Sequence, residues 1–415
     1  MRILFATFSE KTHFIGMVPT AWALRTAGHE VCVASQPALG RVVAATGLPF
    51  APVGADHRLR DVLRFAARMG AEQTPEFDMT ADPDEVAWDD LREGYRDMVL
   101  LWWKVINEPM LTDLVDLCRA WRPDLVVWEP LTFSAPIAAR AAGAAHVRYL
   151  FSSDLLARMR ARYLEAMADL PEAEREDPLG AWLADRADRH GVAFDEELVR
   201  GEATVDYLPP TLHLDAGRRV RRLPVRWTSY NGRAVVPEWL RRPAERPRVC
   251  LSLGTSATDR LDGYAVSVAD VLDGLADLDA EVVATLPVEQ QRRLGTVPGN
   301  VRLVDYVPLH ALAPTCAAMI SHGGAGTVLT GLADGVPQLV LPHHMYDEPL
   351  LGRMLAEQGS GLLVTEPGVD AVRAAAGRLL AEPGFARAAG RVRDEIAAMP
   401  DPAAHARTLT AVARG

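Results

Sequence analysis

The run Ser321-His322-Gly323-Gly324-Ala325-Gly326-Thr327 follows an apolar segment and opens a helical pattern that reaches about Asp334. Glycines there let the backbone come close to a ligand, and a helix start offers N–H donors at the positive end of its dipole. This is the chemistry of an anion site, most simply one for a diphosphate. Glycine-rich strand-to-helix turns also serve only to close a helix against a strand; His322, a further N–H donor, favours the ligand reading. The loop lacks the Lys-Ser/Thr of a Walker A motif and the spacing of GxGxxG. The first such turn, Ser9-Glu10-Lys11-Thr12-His13, has no glycine fingerprint either, which argues against a nicotinamide enzyme.

Three other places carry groups that could act on a substrate. His13 follows the first apolar run, and imidazole is the side chain that exchanges protons near neutral pH; its position alone leaves two readings, a loop contact or a general base. Asp347 and Glu348, after the run Gln338 to Leu341, suit sugar hydroxyls as acceptors, or serve as the N-cap and first-turn acid of the helix that follows. Asp277-Leu278-Asp279 has DxD spacing but falls at a predicted helix end, so no metal is assigned to it.

These groups need strands to position them. Ile3 to Phe8 reads as a strand, Pro19 to Ala27 as a helix stopped at Gly28, and Glu30 to Ala34 as a second strand. Leu125 to Trp128 and His146 to Phe151 continue the pattern, with Ser134 to Ala142 as the crossover helix. Continuous apolar strands returning through helices imply a parallel sheet covered on both faces. The alternation restarts at Val249 to Leu253 and runs through Glu281 to Thr285, Val301 to Val304, Ala317 to Ser321, Gln338 to Leu341 and Gly361 to Val364. The expected architecture is α/β, with two doubly wound Rossmann-like domains and a ligand cleft at the carboxyl ends of their strands. Residues 1–212 form the first domain, 213–245 a proline- and arginine-rich linker, 246–390 the second domain, and 391–415 a helical segment packing back on the first. The helical stretch from Glu85 to Trp121, broken at Pro109, carries Trp88, Tyr95, Trp102 and Trp103. These aromatics are expected in the core, with an apolar acceptor wall as the other reading.

The 415 residues suit two domains of ordinary size. With 44 Lys plus Arg against 55 Asp plus Glu, the net charge is −11, and the pI near 5.5 argues against a general nucleic-acid binder. Cys32, Cys118, Cys250 and Cys316 are widely spaced and show no metal pattern, which fits reduced thiols in the cytoplasm. The apolar run after Arg2 is too short for a signal sequence, and no membrane-length run occurs.

Tyr306-Val307-Pro308-Leu309, the loop His322 to Thr327, then Pro337, Pro342 and Asp347-Glu348 together resemble the donor-binding signature of family 1 glycosyltransferases of GT-B fold. Thr12-His13-Phe14, Pro19 to Leu24 and Ala27-Gly28-His29-Glu30-Val31 resemble the bacterial antibiotic branch. Trp121 to Pro130 and Tyr230-Asn231-Gly232 resemble its macrolide and anthracycline enzymes. The likeness covers essentially the whole chain.

The resemblance implies transfer of a deoxysugar from a TDP-sugar co-substrate to a hydroxyl of a polyketide aglycone, with inversion and without metal or cofactor. His13 would be the base. Glu129 stands where related plant enzymes carry an Asp that orients the base, and Asp154 is the other candidate for that partner. Gly254, Thr255 and Ser256 would join His322, Gly324, Ala325, Gly326 and Thr327 around the phosphates. The backbone of Val307 would receive the nucleobase, and Asp347 and Glu348 the sugar hydroxyls. The stretch Asp154 to Leu170 resembles the docking helix of a sub-branch that needs a P450-like auxiliary protein; an ordinary amphipathic surface helix is the other reading, and a homodimer is a further expected assembly. Two other classes are a nucleotide-sugar epimerase of the same fold and a non-catalytic sugar-nucleotide binding protein.

Overall fold

A computed structural model describes residues 1–68, 79–82, 85–215, 220–254, 264–343 and 346–414. Among them the chain forms two compact units: residues 1–207, 214–225 and 400–415, and residues 208–213 and 226–399.

The first unit is built on a wholly parallel sheet of β1 (Arg2–Ala6), β2 (Glu30–Ser35), β3 (Phe50–Pro52), β4 (Leu125–Trp128), β5 (Ala145–Tyr149), β6 (Ala203–Asp206) and β7 (Arg222–Pro224). Their order is β3-β2-β1-β4-β5-β6-β7. The central strands are buried throughout, since helices cover both faces: β4 exposes none of its residues and β1 only Arg2. The outermost strands, β3 and β7, are three residues long and end in Pro52 and Pro224, residues a sheet tolerates only at an edge. The helix Val18–Thr26 stops where expected, with Gly28 at a φ of +91° just beyond it.

The second unit repeats the plan with β8 (Arg248–Ser252), β9 (Glu281–Thr285), β10 (Val301–Val304), β11 (Ala318–Ser321), β12 (Gln338–Val340) and β13 (Gly361–Leu363), in the order β10-β9-β8-β11-β12-β13. Strand order reverses between β1 and β4 in the first sheet and between β8 and β11 in the second. Those are the points at which open parallel sheets bind ligands, just beyond the carboxyl ends. No helix among the described residues is long and apolar enough to cross a membrane.

The boundaries differ from those read in the sequence. Residues 213–245 are not a linker throughout: β7 pairs in register with β6, Val205 opposite Leu223, and Arg222 Nε donates to the buried Asp206. From Arg226 onward the segment belongs to the second unit. An edge strand of three residues leaves no periodicity to read. At the carboxyl end, the helix Pro383–Ala398 belongs to the second unit, while Pro402–Val412 belongs to the first and packs on Val18–Thr26. The aromatic stretch forms helices Trp88–Met98 and Leu111–Trp121 with a π-helical turn at Val99–Trp103. Tyr95 and Trp103 are buried in the core, with Trp88 and Trp102 packed against it.

Candidate active site

His13 and Glu129 follow β1 and β4, the two strands that flank the first sheet's switch point. Registry places Ala6 beside Trp128, and Glu129 N–H donates to Ala6 O at 3.1 Å, so the two loops leave the sheet side by side. His13 sits on the short helix Lys11–Ile15, whose N-cap Glu10 accepts from Thr12 N and Thr12 Oγ1. His13 Nδ1 lies 2.9 Å from Glu129 Oε1. Glu129 is fully buried and also accepts from Leu131 N at 3.0 Å and Thr132 Oγ1 at 2.8 Å. A carboxylate can only accept, so Nδ1 carries the hydrogen and Nε2 keeps its lone pair. Thr132 Oγ1 in turn accepts from Phe8 N, tying the end of β1 to the same carboxylate. The imidazole is boxed by Phe151, stacked at 3.8 Å and 17°, and by Phe8, edge-on at 5.2 Å.

Asp154, the other candidate partner, is engaged elsewhere. It pairs with the buried Arg148 and caps the helix Leu155–Ala168 by accepting from Ala157 N. One face of that helix is packed inward, through Leu155, Met159, Arg160 and Tyr163, while Glu165 and Ala168 on it are exposed.

The second unit places its loops in the same way. Gly254 follows β8 and His322 follows β11, the neighbours at its switch point, with Ser252 registered beside Ser321. The His322 ring lies between two glycines. A Cβ on Gly254 would stand 2.6 Å from its Cε1, and one on Gly324 2.5 Å from its Nε2. Gly323 takes a φ of +98°, and Gly324, which has no side chain to cap with, is the N-cap of the helix Ala325–Leu332. Ala325, Gly326 and Thr327 form that turn. Burial, then the neighbouring His343, lowers the His322 pKa to about 4, while the Ser252 backbone acts the other way. At neutral pH the ring is uncharged and supplies one N–H donor.

Glu348 is buried beside this loop. Its Oε2 accepts from His343 N at 2.8 Å and its Oε1 stands 3.8 Å from His322 Nε2. Asp347, also buried, is the N-cap residue of Glu348–Glu357, yet its side chain makes no capping bond. The first-turn acid is thus turned inward, toward the glycine loop. Val307 is buried in an apolar cluster that also holds Cys250 and Leu312. Thr255 and Ser256 lie outside the described residues. Asp277 pairs with Arg373 and Asp279 with Arg246, both on the surface.

Four residues near these groups carry no role assigned from the sequence, although one of them, Asn231, stands in the motif Tyr230-Asn231-Gly232. Thr132 orients Glu129. His343 stacks on both His322 and Tyr264, at 5.4 and 5.7 Å; its Nδ1 accepts from Ala265 N, so its Nε2 donates to Leu253 O. Trp227 lies beside Gly326 in the first turn of the loop helix. The Asn231 carboxamide oxygen accepts from His310 N, and Tyr306 Oη donates to its backbone carbonyl, both flanking Val307. His343 follows a strand end in a second sheet, which is a usable signal; the other three lay in segments without periodicity.

Residues 22–254 match the family described as Erythromycin biosynthesis protein CIII-like, N-terminal domain, and residues 269–412 its C-terminal domain. The chain is 43% identical to 10-deoxymethynolide desosaminyltransferase of Streptomyces venezuelae, over 97% of this chain and 95% of that one. It is 40% identical to Aclacinomycin-T 2-deoxy-L-fucose transferase of Streptomyces galilaeus, over 97% and 94%. Among solved structures, glycosyltransferase VinC in complex with dTDP superposes over 100% of both chains with a TM-score of 0.89 at 39% identity. The spinosyn forosaminyltransferase SpnP does so with a TM-score of 0.83 at 35% identity. With both domain families matched and two parallel-sheet units in the GT-B manner, the chain belongs to the erythromycin CIII-like glycosyltransferases.

Proposed function

We propose that this glycosyltransferase moves a deoxysugar from a TDP-sugar to a hydroxyl of a polyketide aglycone, of macrolide or anthracycline type, with inversion at the anomeric carbon. The observation that carries the reading is the His13–Glu129 pair. It leaves Nε2 with its lone pair, the state that a base for an alcohol requires. The named activities of the relatives supply the substrate classes.

In the proposed step the acceptor hydroxyl gives its proton to His13 Nε2 as its oxygen attacks the anomeric carbon. The bond from that carbon to the diphosphate oxygen breaks, and its electron pair leaves with TDP. One in-line displacement inverts the centre. Glu129 stabilises the imidazolium through Nδ1–H. The leaving diphosphate is met by the start of the helix Ala325–Leu332 and by His322, with Gly254, Thr255 and Ser256 alongside. The Val307 backbone takes the nucleobase, and Asp347 and Glu348 the sugar hydroxyls. The burial of both residues, with the Glu348 carboxylate bonded to His343 N beside the glycine loop, supports that last assignment over surface capping.

The test is mass spectrometry of products from a panel of TDP-deoxysugars and polyketide aglycones, using the purified chain with and without a P450-like auxiliary protein. A glycoside one deoxysugar heavier than the aglycone is expected. Epimerised donor with no glycoside would replace this reading with the epimerase one. His13→Ala should abolish transfer and leave TDP binding intact.

A further inference from the structure

The turn from β5 into the helix Leu155–Ala168 runs through Leu150-Phe151-Ser152-Ser153-Asp154, and both of its ends are fixed. At the far end Asp154 uses one carboxylate oxygen to cap the helix, accepting from Ala157 N at 3.2 Å, and the other to bind Arg148 Nη2. Arg148 lies on β5 and is fully buried. Its Nε and Nη2 also donate to Thr204 Oγ1 on β6, at 3.2 and 3.1 Å, and that hydroxyl donates to Arg200 O. Arg148 Nη1 has no hydrogen-bond partner among the described residues. Between the ends, Phe151 lies flat on His13, ring centroids 3.8 Å apart.

A buried guanidinium paired with a buried carboxylate is weak as a source of stability, because apolar side chains of the same volume would serve as well. What the pair supplies is a fixed distance between β5, β6 and the start of the helix. From these contacts we infer that the Arg148–Asp154 pair is a positioning element for His13, acting through Phe151. It holds the turn so that the aromatic face covers one side of the imidazole. Glu129 fixes the ring's edge and Phe151 its plane, and the two together aim Nε2. The same face favours the imidazolium that forms when the ring takes a proton, since an aromatic face attracts cations. This inference rests on His13 being the base proposed above.

Three variants test it. Asp154→Asn keeps the size and the capping oxygen but removes the charge opposite Arg148. Phe151→Leu removes the ring, and Phe151→Tyr keeps its face. The measurements are kcat, KM for each substrate, and TDP affinity by calorimetry. Asp154→Asn and Phe151→Leu should each lower kcat by roughly tenfold to a hundredfold, the range expected of a misaimed catalytic group. Donor KM and TDP affinity should stay as in the wild type, and Phe151→Tyr should keep its turnover. The double variant should lose no more than Phe151→Leu alone, because the ion pair acts through the ring.

Additive losses in the double variant would overturn the inference. So would a kcat near the wild-type value for Phe151→Leu, a measurement that stands even where Asp154→Asn fails to fold. If His13→Ala still transfers sugar, the base assignment itself falls and takes this inference with it. If His13→Ala is inactive while Phe151→Leu turns over normally, only the positioning role falls.

Discussion

His13 Nδ1 stands 2.9 Å from Glu129 Oε1, and the two residues leave neighbouring strands at the point where the first sheet reverses its order. Three donors, His13 Nδ1, Leu131 N and Thr132 Oγ1, converge on one buried carboxylate. Glu129→Gln keeps the shape but substitutes an amide that can present NH2 to the imidazole and favour the wrong tautomer. Turnover should fall by about 10²- to 10⁴-fold, the range set by losing a general base and its orienting acid. Initial rates would show this, and TDP affinity should not change. A loss of only a few fold would mean that Glu129 does not control the tautomer.

The contact of two glycines with the His322 ring makes both positions sensitive to a single methyl group. At Gly254 a Cβ would stand 2.6 Å from the ring and the backbone holds a φ of +72°; at Gly324 the Cβ would stand 2.5 Å away. Gly254→Ala should therefore cost about 1–2 kcal/mol of stability from its left-handed backbone alone. Both alanine variants must push His322 aside, and TDP affinity by calorimetry should drop by about tenfold or more. Wild-type affinity in both would remove His322 from the phosphate site.

Burial, followed by His343, brings the His322 pKa to about 4, whereas an unfolded histidine titrates near 6.5. The folded state thus prefers the neutral ring. His322 adds no acid sensitivity above about pH 6.5, and stability falls as the pH drops toward 4, by about 3 kcal/mol in full. Between pH 7 and pH 5 the wild type should lose about 2 kcal/mol more than His322→Gln, which cannot titrate. Urea midpoints at the two values measure it. His146 and His405 are also pushed down by burial, to about 3 and about 4, but are common to both proteins and cancel. Equal losses would place His322 in water.

How much of this was legible in the sequence follows from which signals are local. Strands such as Leu125–Trp128 and Glu281–Thr285 are apolar runs in a parallel sheet, and the structure has them at those bounds. β6, with Thr204 and Asp206 in its four residues, and β7, with three, offered no such run. The loop His322 to Thr327 announced itself through its glycines, and His13 through its place after β1. Which acid faces His13 was not local information. Glu129 and Asp154 both follow strand ends, and only tertiary placement turns one carboxylate to the imidazole and the other to Arg148. The roles of Trp227 and Asn231 were not local either, since their segment has no periodicity and their partners, Gly326 for one and Tyr306 and His310 for the other, are distant in sequence.

Arg160 offers the clearest stability test in the first unit. Only 1% exposed on the helix Leu155–Ala168, it donates to both oxygens of Asp177 at 2.7 and 2.6 Å and to Glu196 at 2.6 and 3.2 Å. Burial raises the Asp177 carboxyl, but the bonds and charge of Arg160 outweigh it and hold the group below its ordinary range. Asp177 therefore stabilises the fold above the ordinary carboxylate pKa, and that contribution is lost as pH falls through its lowered value. Asp177 also caps the helix Pro178–Asp188, so one guanidinium ties two helices and a loop together. Arg160→Met keeps most of the apolar stem and leaves two half-buried carboxylates facing each other without a cation. The cost should be about 3 kcal/mol at pH 7, the lower end for a broken buried pair because both acids keep some water. In the variant the two carboxylates repel, so protonating Asp177 relieves strain, while in the wild type protonating it breaks its pairing with Arg160. The gap between the two proteins should accordingly narrow as pH drops from 7 toward 4. Urea unfolding across that range reads both the size and the slope, and a gap independent of pH would assign the loss to packing of the arginine stem instead of its charge.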